Sequence, residues 1–255
     1  MQFLDILDKT FSLYRSSFRL YIGITAILYI PLSALKALLL PEIFIPGRLL
    51  LAQGRFFFLM MVESLLIYPI AIGTLIFVTS QKYLGQQTTI EEALRHVKFL
   101  SILSVYLVWI LGVLLMWITC IGIPFSIYFL FAWSLCCQSI MLEDHTVIGA
   151  LSRSRQLIKR MWWRVFGIQI LLFILTLIFM FLPLFTLGML IGIFNLDIPS
   201  TTTLISYIIE SILRIIAIPI PLIGATLLYF DLRIRKEAFD IEMMATNLNS
   251  EPPQP

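Results

Sequence analysis

FLSILSVYLVWILGVLLMWITCIGIPFSIYFLFAWSLCCQSIML, residues 99–142, is apolar at nearly every position. A helix that crosses a bilayer needs about 20 mostly apolar residues. This stretch therefore divides into two spans, residues 99–118 and 121–142. The turn between them, near Cys120, Gly122 and Pro124, is very short, so the two spans form an antiparallel hairpin. The same criterion applied outward gives four more spans, at residues 20–40, 56–79, 165–182 and 204–230. The expected fold class is an all-α integral membrane protein, a bundle of six transmembrane helices.

Composition agrees. The chain has 255 residues, of which 60% are hydrophobic and 13% charged, and its mean hydropathy is +0.96. Soluble chains are roughly 45–50% apolar and about 25% charged, so lipid must cover the surplus apolar surface. These figures exclude a disordered chain, a collagen and a disulfide-stapled secreted module. A net charge of +3 is too small to suggest a nucleic-acid partner. The run from residue 165 to 196 is too long for one straight span, at about 48 Å against about 30 Å of hydrocarbon. Pro183 is a natural break, and residues 184–196 are expected to lie at the interface or re-enter it.

The first apolar run follows Lys9, Arg15 and Arg19 but also Asp5 and Asp8. No small-x-small site follows it, and Lys36 stands where a cleavage region would be, so it is expected to be a retained span. With six spans both termini share one side. That side holds Lys9, Arg15, Arg19, Lys82, Arg95, Lys98, Arg153, Arg155, Lys159, Arg160, Arg164, Arg233, Arg235 and Lys236, which is 14 of the 18 Lys and Arg. Lys36, Arg48, Arg55 and Arg214 fall in or near the other side. The positive-inside rule predicts that both termini are cytoplasmic.

Amphipathic cytoplasmic helices are expected before spans 1, 3 and 5. Thr89-Ile90-Glu91-Glu92-Ala93-Leu94 and Thr146-Val147-Ile148-Gly149-Ala150-Leu151 share the pattern Thr-(Ile/Val)-x-x-Ala-Leu, 57 residues apart. The N-terminus is a looser copy, in which Leu7, Leu13, Arg15 and Gly23 align with Leu151, Leu157, Lys159 and Gly167. An internal repeat of amphipathic helix plus span explains the pattern economically. At 100° per residue, Phe3, Ile6, Leu7, Tyr14 and Phe18 share a face opposite Asp5, Asp8, Lys9, Ser12, Arg15 and Arg19. In the third copy Val147, Leu151, Ile158, Met161 and Trp162 form the apolar face. Arg153, Arg160 and Arg164 lie along one edge of it, Arg155 and Lys159 along the other. Two readings of these five cations stand side by side. They enforce topology, or they contact lipid headgroups at an anionic cytoplasmic leaflet.

Three blocks carry a family resemblance. They are Phe3-Leu4-Asp5-Ile6-Leu7-Asp8-Lys9-Thr10-Phe11-Ser12-Leu13-Tyr14-Arg15, then Ala150–Ile158 with Trp162-Trp163-Arg164-Val165-Phe166-Gly167, and Tyr229-Phe230-Asp231-Leu232-Arg233-Ile234-Arg235-Lys236-Glu237-Ala238-Phe239-Asp240. In these the chain resembles the bacterial membrane-domain family named after the glycerophosphoryl diester phosphodiesterases, to which that domain is sometimes fused. The matching residues set topology and packing and are not reactive. The resemblance implies a bacterial cytoplasmic membrane. It does not transfer the catalytic label, because nothing in the chain is long enough to be the soluble catalytic barrel.

No enzyme signature is present: no Gly-rich phosphate loop, no His-Glu-x-x-His, no Gly-x-Ser-x-Gly. Glu143-Asp144-His145 diverge on any regular backbone and read as a polar cap more readily than as a metal site. Cys136 and Cys137 read as packing residues, with palmitoylation the alternative. Gly188-Met189-Leu190-Ile191-Gly192 spells a close-packing motif. No cofactor or metal is expected.

Lys36, Glu63, Glu210 and Arg214 lie within apolar runs, where ionisable groups often mark function. Glu210 and Arg214 are about 30 and about 24 Å from the cytoplasmic end of the sixth span, and Glu63 is about 10 Å into the second. All four belong to the outer third of the membrane. They anchor the outer interface, with Glu210 and Arg214 paired at i, i+4, or they line an outward polar pocket for a lipid headgroup or permeant. Pro69, Pro219 and Pro221 interrupt regular backbone nearby. Residues 247–255 are expected to form a disordered tail.

The expected function is that of a non-enzymatic accessory or scaffold subunit, or of a lipid-associated homo-oligomer. The alternative is a transporter or channel for lipid-like or amphiphilic molecules. Expected partners are membrane lipids and a second membrane protein or copy of the chain.

Overall fold

In the computed structural model, residues 3–39, 49–118, 122–193 and 200–250 are described, and among them every regular element is helical. The chain is an all-α bundle with six helices long and apolar enough to cross a membrane. Helix α1 is Phe3–Ser16, separated from α2, Phe18–Leu39, by Ser17 alone. The second span is α3, Leu49–Val62, a π-helical turn at Glu63–Ile67, and α4, Tyr68–Tyr83. Short α5, Ile90–Arg95, leads into α6, Phe99–Trp117. The fourth span is α7, Gly122–Ala132, and α8, Cys136–Glu143. Helix α9, Val147–Ile158, precedes α10, Trp162–Ile193. Helices α11, Ser200–Ala217, and α12, Pro219–Ser250, complete the chain.

The three lead-in helices expected from the repeat are all present, and two open in the same way. Thr89 Oγ1 accepts from the amide of Glu92, and Thr146 Oγ1 from that of Gly149, each at 3.3 Å. Each threonine thus satisfies an orphan donor of the first turn. Ala93 and Ala150, at matching positions, are both fully buried, as is Ile6 in the looser copy. Each lead-in helix packs on the returning span before it, α5 on α4 and α9 on α8. Helix α1 packs instead on α12, so the first and last described helices meet. Tyr14 Oη donates to the carbonyl of Ile216 at 2.9 Å, and burial pushes that hydroxyl up to about 12. The apolar face of α1 therefore meets protein, through Ile6 and Tyr14, while Phe18 stays exposed.

The returning spans form the centre. Half of the residues in the apolar windows of 53–83 and 208–238 are buried, against 11% in Phe99–Trp117. The largest core cluster joins Ile6, Tyr21, Leu75, Leu157, Val165 and Leu228 from α1, α2, α4, α9, α10 and α12. At Gly73 a Cβ would stand 2.6 Å from Ile102 Cδ1, so α4 and α6 pack closely and any larger residue there would push the Ile102 side chain aside.

Four expectations about continuity need correcting or lie partly outside the described residues. Helix α10 runs unbroken through Pro183 to Ile193, so residues 184–193 prolong the fifth helix and do not turn back on it. One proline costs about 3 kcal/mol in a helix interior. A break in lipid would expose several backbone groups at several kcal/mol each, so continuation wins. Residues 194–196 lie outside the described part. The fourth span is instead interrupted at Trp133–Leu135. Ser154 of α9 bridges that gap, donating to Ala132 O at 2.8 Å and accepting from the amide of Leu135 at 3.3 Å. Helix α12 continues to Ser250, so residues 247–250 are helical where a disordered tail was expected; residues 251–255 lie outside the described part. The turn near Cys120 also lies outside it, although α6 and α7 pack side by side as a hairpin requires.

Candidate functional site

Two charged assemblies occupy opposite ends of the bundle. The first unites all four charges expected within apolar runs. Lys36 comes from the end of α2, Glu63 from the π turn, and Glu210 and Arg214 from α11. The π turn has a local cause. Pro69 lacks an amide, so the carbonyl four residues earlier has no normal partner, and the chain widens, with the Tyr68 amide bonding Glu63 O. The side chain of Glu63 is 10% exposed and forms ion pairs with both Lys36 and Arg214. Arg214 Nη2 also donates to Glu210 Oε1 at 2.6 Å, the i, i+4 pair expected. Two cations and two carboxylates thus neutralise one another. The cleft beside them, lined by Tyr29, Lys36, Glu210 and Arg214 among others, encloses about 10 Å³, the space of about one water.

The second assembly joins α8, α9, α10 and α12. Glu143, the last residue of α8, accepts from Arg153 Nε at 2.8 Å and Nη2 at 3.1 Å, from His145 Nε2 at 2.9 Å, and from the Tyr229 hydroxyl. Arg153 also donates to Glu237 at 2.6 Å, and Arg233 donates to the same carboxylate. Hydrogen bonding to Glu143 holds the Arg153 guanidinium further above its ordinary range, so it is a fixed cation. Beside this network Asp231, 3% exposed, binds Arg164 at 2.9 Å and Arg235 at 3.0 Å.

Glu143, Tyr229, Asp231 and Glu237 were not expected as site residues. The pairs Asp231–Arg235 and Arg233–Glu237 carry a signal, the i, i+4 spacing along a helix continued past residue 230. The links from Arg153 and Arg164 to α12 cross 84 and 67 residues and have none. Asp144 turns away from Glu143 to pair with Lys98, in a left-handed conformation at φ 56°. The triplet 143–145 therefore does not converge on one point.

The five cations of the third repeat divide. Arg153 and Arg164 are ion-paired within the protein. Arg155, Lys159 and Arg160 are exposed and form no ion pair among the described residues. Arg155 lies over the Phe129 ring, 5.8 Å from its centroid. Cys136 and Cys137 are buried against Ile102, Val105 and Ile140, in the packing role expected. A Cβ at Gly188 or Gly192 would meet nothing within 4 Å, so among the described residues the Gly-x-x-x-Gly motif packs against no other helix. In comparison with known proteins, no family, no curated sequence and no solved structure matches the chain.

Proposed function

We propose that the chain is a non-enzymatic multi-pass protein of the bacterial cytoplasmic membrane, with both termini in the cytoplasm. In this reading it acts as an accessory or scaffold subunit, or as a lipid-associated homo-oligomer. The observation that carries the reading is the closure of the charged cluster Lys36–Glu63–Arg214–Glu210. Its charges are spent on one another, and the cleft beside them has room for about one water. A headgroup-sized ligand would have to break those pairs to enter. The asymmetry of Lys and Arg supports the orientation. The resemblance to the phosphodiesterase-associated membrane domains supports the host membrane.

The test is native mass spectrometry of the protein extracted from its own membrane under mild conditions. A stoichiometric second polypeptide, or a defined homo-oligomer, is the expected result. A lone monomer that loses all lipid at low activation would sink the proposal.

A second reading, transport of an amphiphilic molecule, draws on the π turn at Glu63 and on the break before Pro219. Irregular turns of this type recur at functional sites and in transporter helices. It requires Glu63→Gln and Glu210→Gln to abolish flux in vesicles while the protein stays folded.

A further inference from the structure

The corner between α9 and α10 combines three features found together nowhere else among the described residues. The first is the set of unpaired cations Arg155, Lys159 and Arg160. Arg155 is on the last turn of α9, Lys159 caps that helix, and Arg160 follows at the corner. The second is an aromatic shelf directly beneath. Tyr128 stacks on Trp162 at 6.1 Å and Trp162 on Phe166 at 5.1 Å, and Phe129 meets Trp133 at a tilt, 4.6 Å between ring centroids. Trp163, 5.0 Å from Trp162, projects outward with 79% of its surface exposed. The third is the backbone of Arg160 itself, at φ 76°. Non-glycine residues enter the left-handed region at a cost, yet an arginine is placed there. The result is an abrupt corner with its guanidinium outside.

Trp and Tyr concentrate at the membrane–water boundary, where an apolar ring meets a wet edge. Long basic side chains beside such rings extend toward phosphate. We infer that the α9–α10 corner binds the phosphate of an anionic phospholipid through Arg155, Lys159 and Arg160, with Trp163 inserted among the adjoining acyl chains. Arg153 and Arg164, although on the same segment, take no part, because Glu143, Glu237 and Asp231 already hold them. The inference rests on the membrane residence proposed above but not on the choice between scaffold and transporter.

The test compares lipids retained by the full chain in nanodiscs made of phosphatidylglycerol and phosphatidylcholine, read by native mass spectrometry. The variant Arg155→Gln/Lys159→Gln/Arg160→Gly removes three charges and relieves the left-handed arginine, so the fold is kept. Preference for phosphatidylglycerol is expected to fall roughly fivefold for each charge removed. Lys9→Gln/Arg15→Gln/Arg19→Gln, which removes as many charges elsewhere on the same end, is expected to keep the wild-type preference. An unchanged preference in the first variant, or an equal loss in the second, overturns the site.

A measurement that needs no charge variant is quenching by brominated lipid of the fluorescence absent from Trp163→Phe. Brominated phosphatidylglycerol is expected to quench that signal more than brominated phosphatidylcholine at equal mole fraction; equal quenching overturns the inference. Flux that depends on Glu63 would overturn the scaffold proposal and leave this site standing.

Discussion

Glu63 accepts from two cations, whereas Glu210 shares one of them from a more exposed position. That asymmetry sets the sign of the simplest experiment. Glu63→Gln leaves the partly buried Lys36 without its carboxylate and Arg214 with Glu210 alone, and should cost about 3–5 kcal/mol. Glu210→Gln removes an i, i+4 pair and should cost less than about 1 kcal/mol. Thermal unfolding in detergent measures both. Equal losses would show that Glu63 is not the hub. The presence of these four charges was legible in the sequence because each interrupts an apolar run. The Glu210–Arg214 pair was legible too, from its i, i+4 spacing, but the links through Glu63 were not, because Lys36 and Glu63 are 27 residues apart and Glu63 and Arg214 are 151. The same distance problem hid the fate of Arg153 and Arg164. A helical projection places five cations along two edges, but only the fold brings Glu143 and Asp231 to two of them.

Among the elements, the interrupted fourth span depends on one hydroxyl. Ser154 is fully buried and serves both a carbonyl and an amide freed by the break at Trp133–Leu135. Ser154→Ala should leave both groups without that partner and cost about 1–3 kcal/mol. Chemical denaturation of the reconstituted protein would show it, and a loss of only a few tenths would mean that water replaces the hydroxyl. Residues 121–142 show nothing but apolar continuity at that point, and the residue that makes the break tolerable lies on α9. Pro183 presents the opposite case. A helix breaker by local rule is carried through by α10, because in lipid the neighbouring backbone groups have no alternative partner. Span existence was therefore legible from composition alone, while span continuity was decided by tertiary and solvent terms.

At the scale of the whole molecule, α1 contributes Ile6 and Tyr14 to the same core as Leu228 and Leu232 of α12. Removing residues 1–16 should loosen the far end of the chain more than its immediate neighbours in sequence. Amide hydrogen exchange is expected to quicken across residues 219–238, and less across residues 68–83. Exchange unchanged in both would mean that the contact of α1 with α12 adds no stability. The repeat that foretold three lead-in helices did not foretell this contact, since α5 and α9 pack on the spans just before them whereas α1 packs on one far along the chain.

The junction of α1 with α12 also orders events in time. A ribosome delivers α1 well before α12, so Ile6, Leu7 and Tyr14 wait without their partner until residues 219–238 have been made. During that interval the headgroup layer is the natural shelter for an amphipathic helix of this kind. A chain that stops before residue 219 keeps that face uncovered permanently. Helix α1 thus reports whether α12 is in place, its apolar face hidden only on molecules in which that span has been made and inserted.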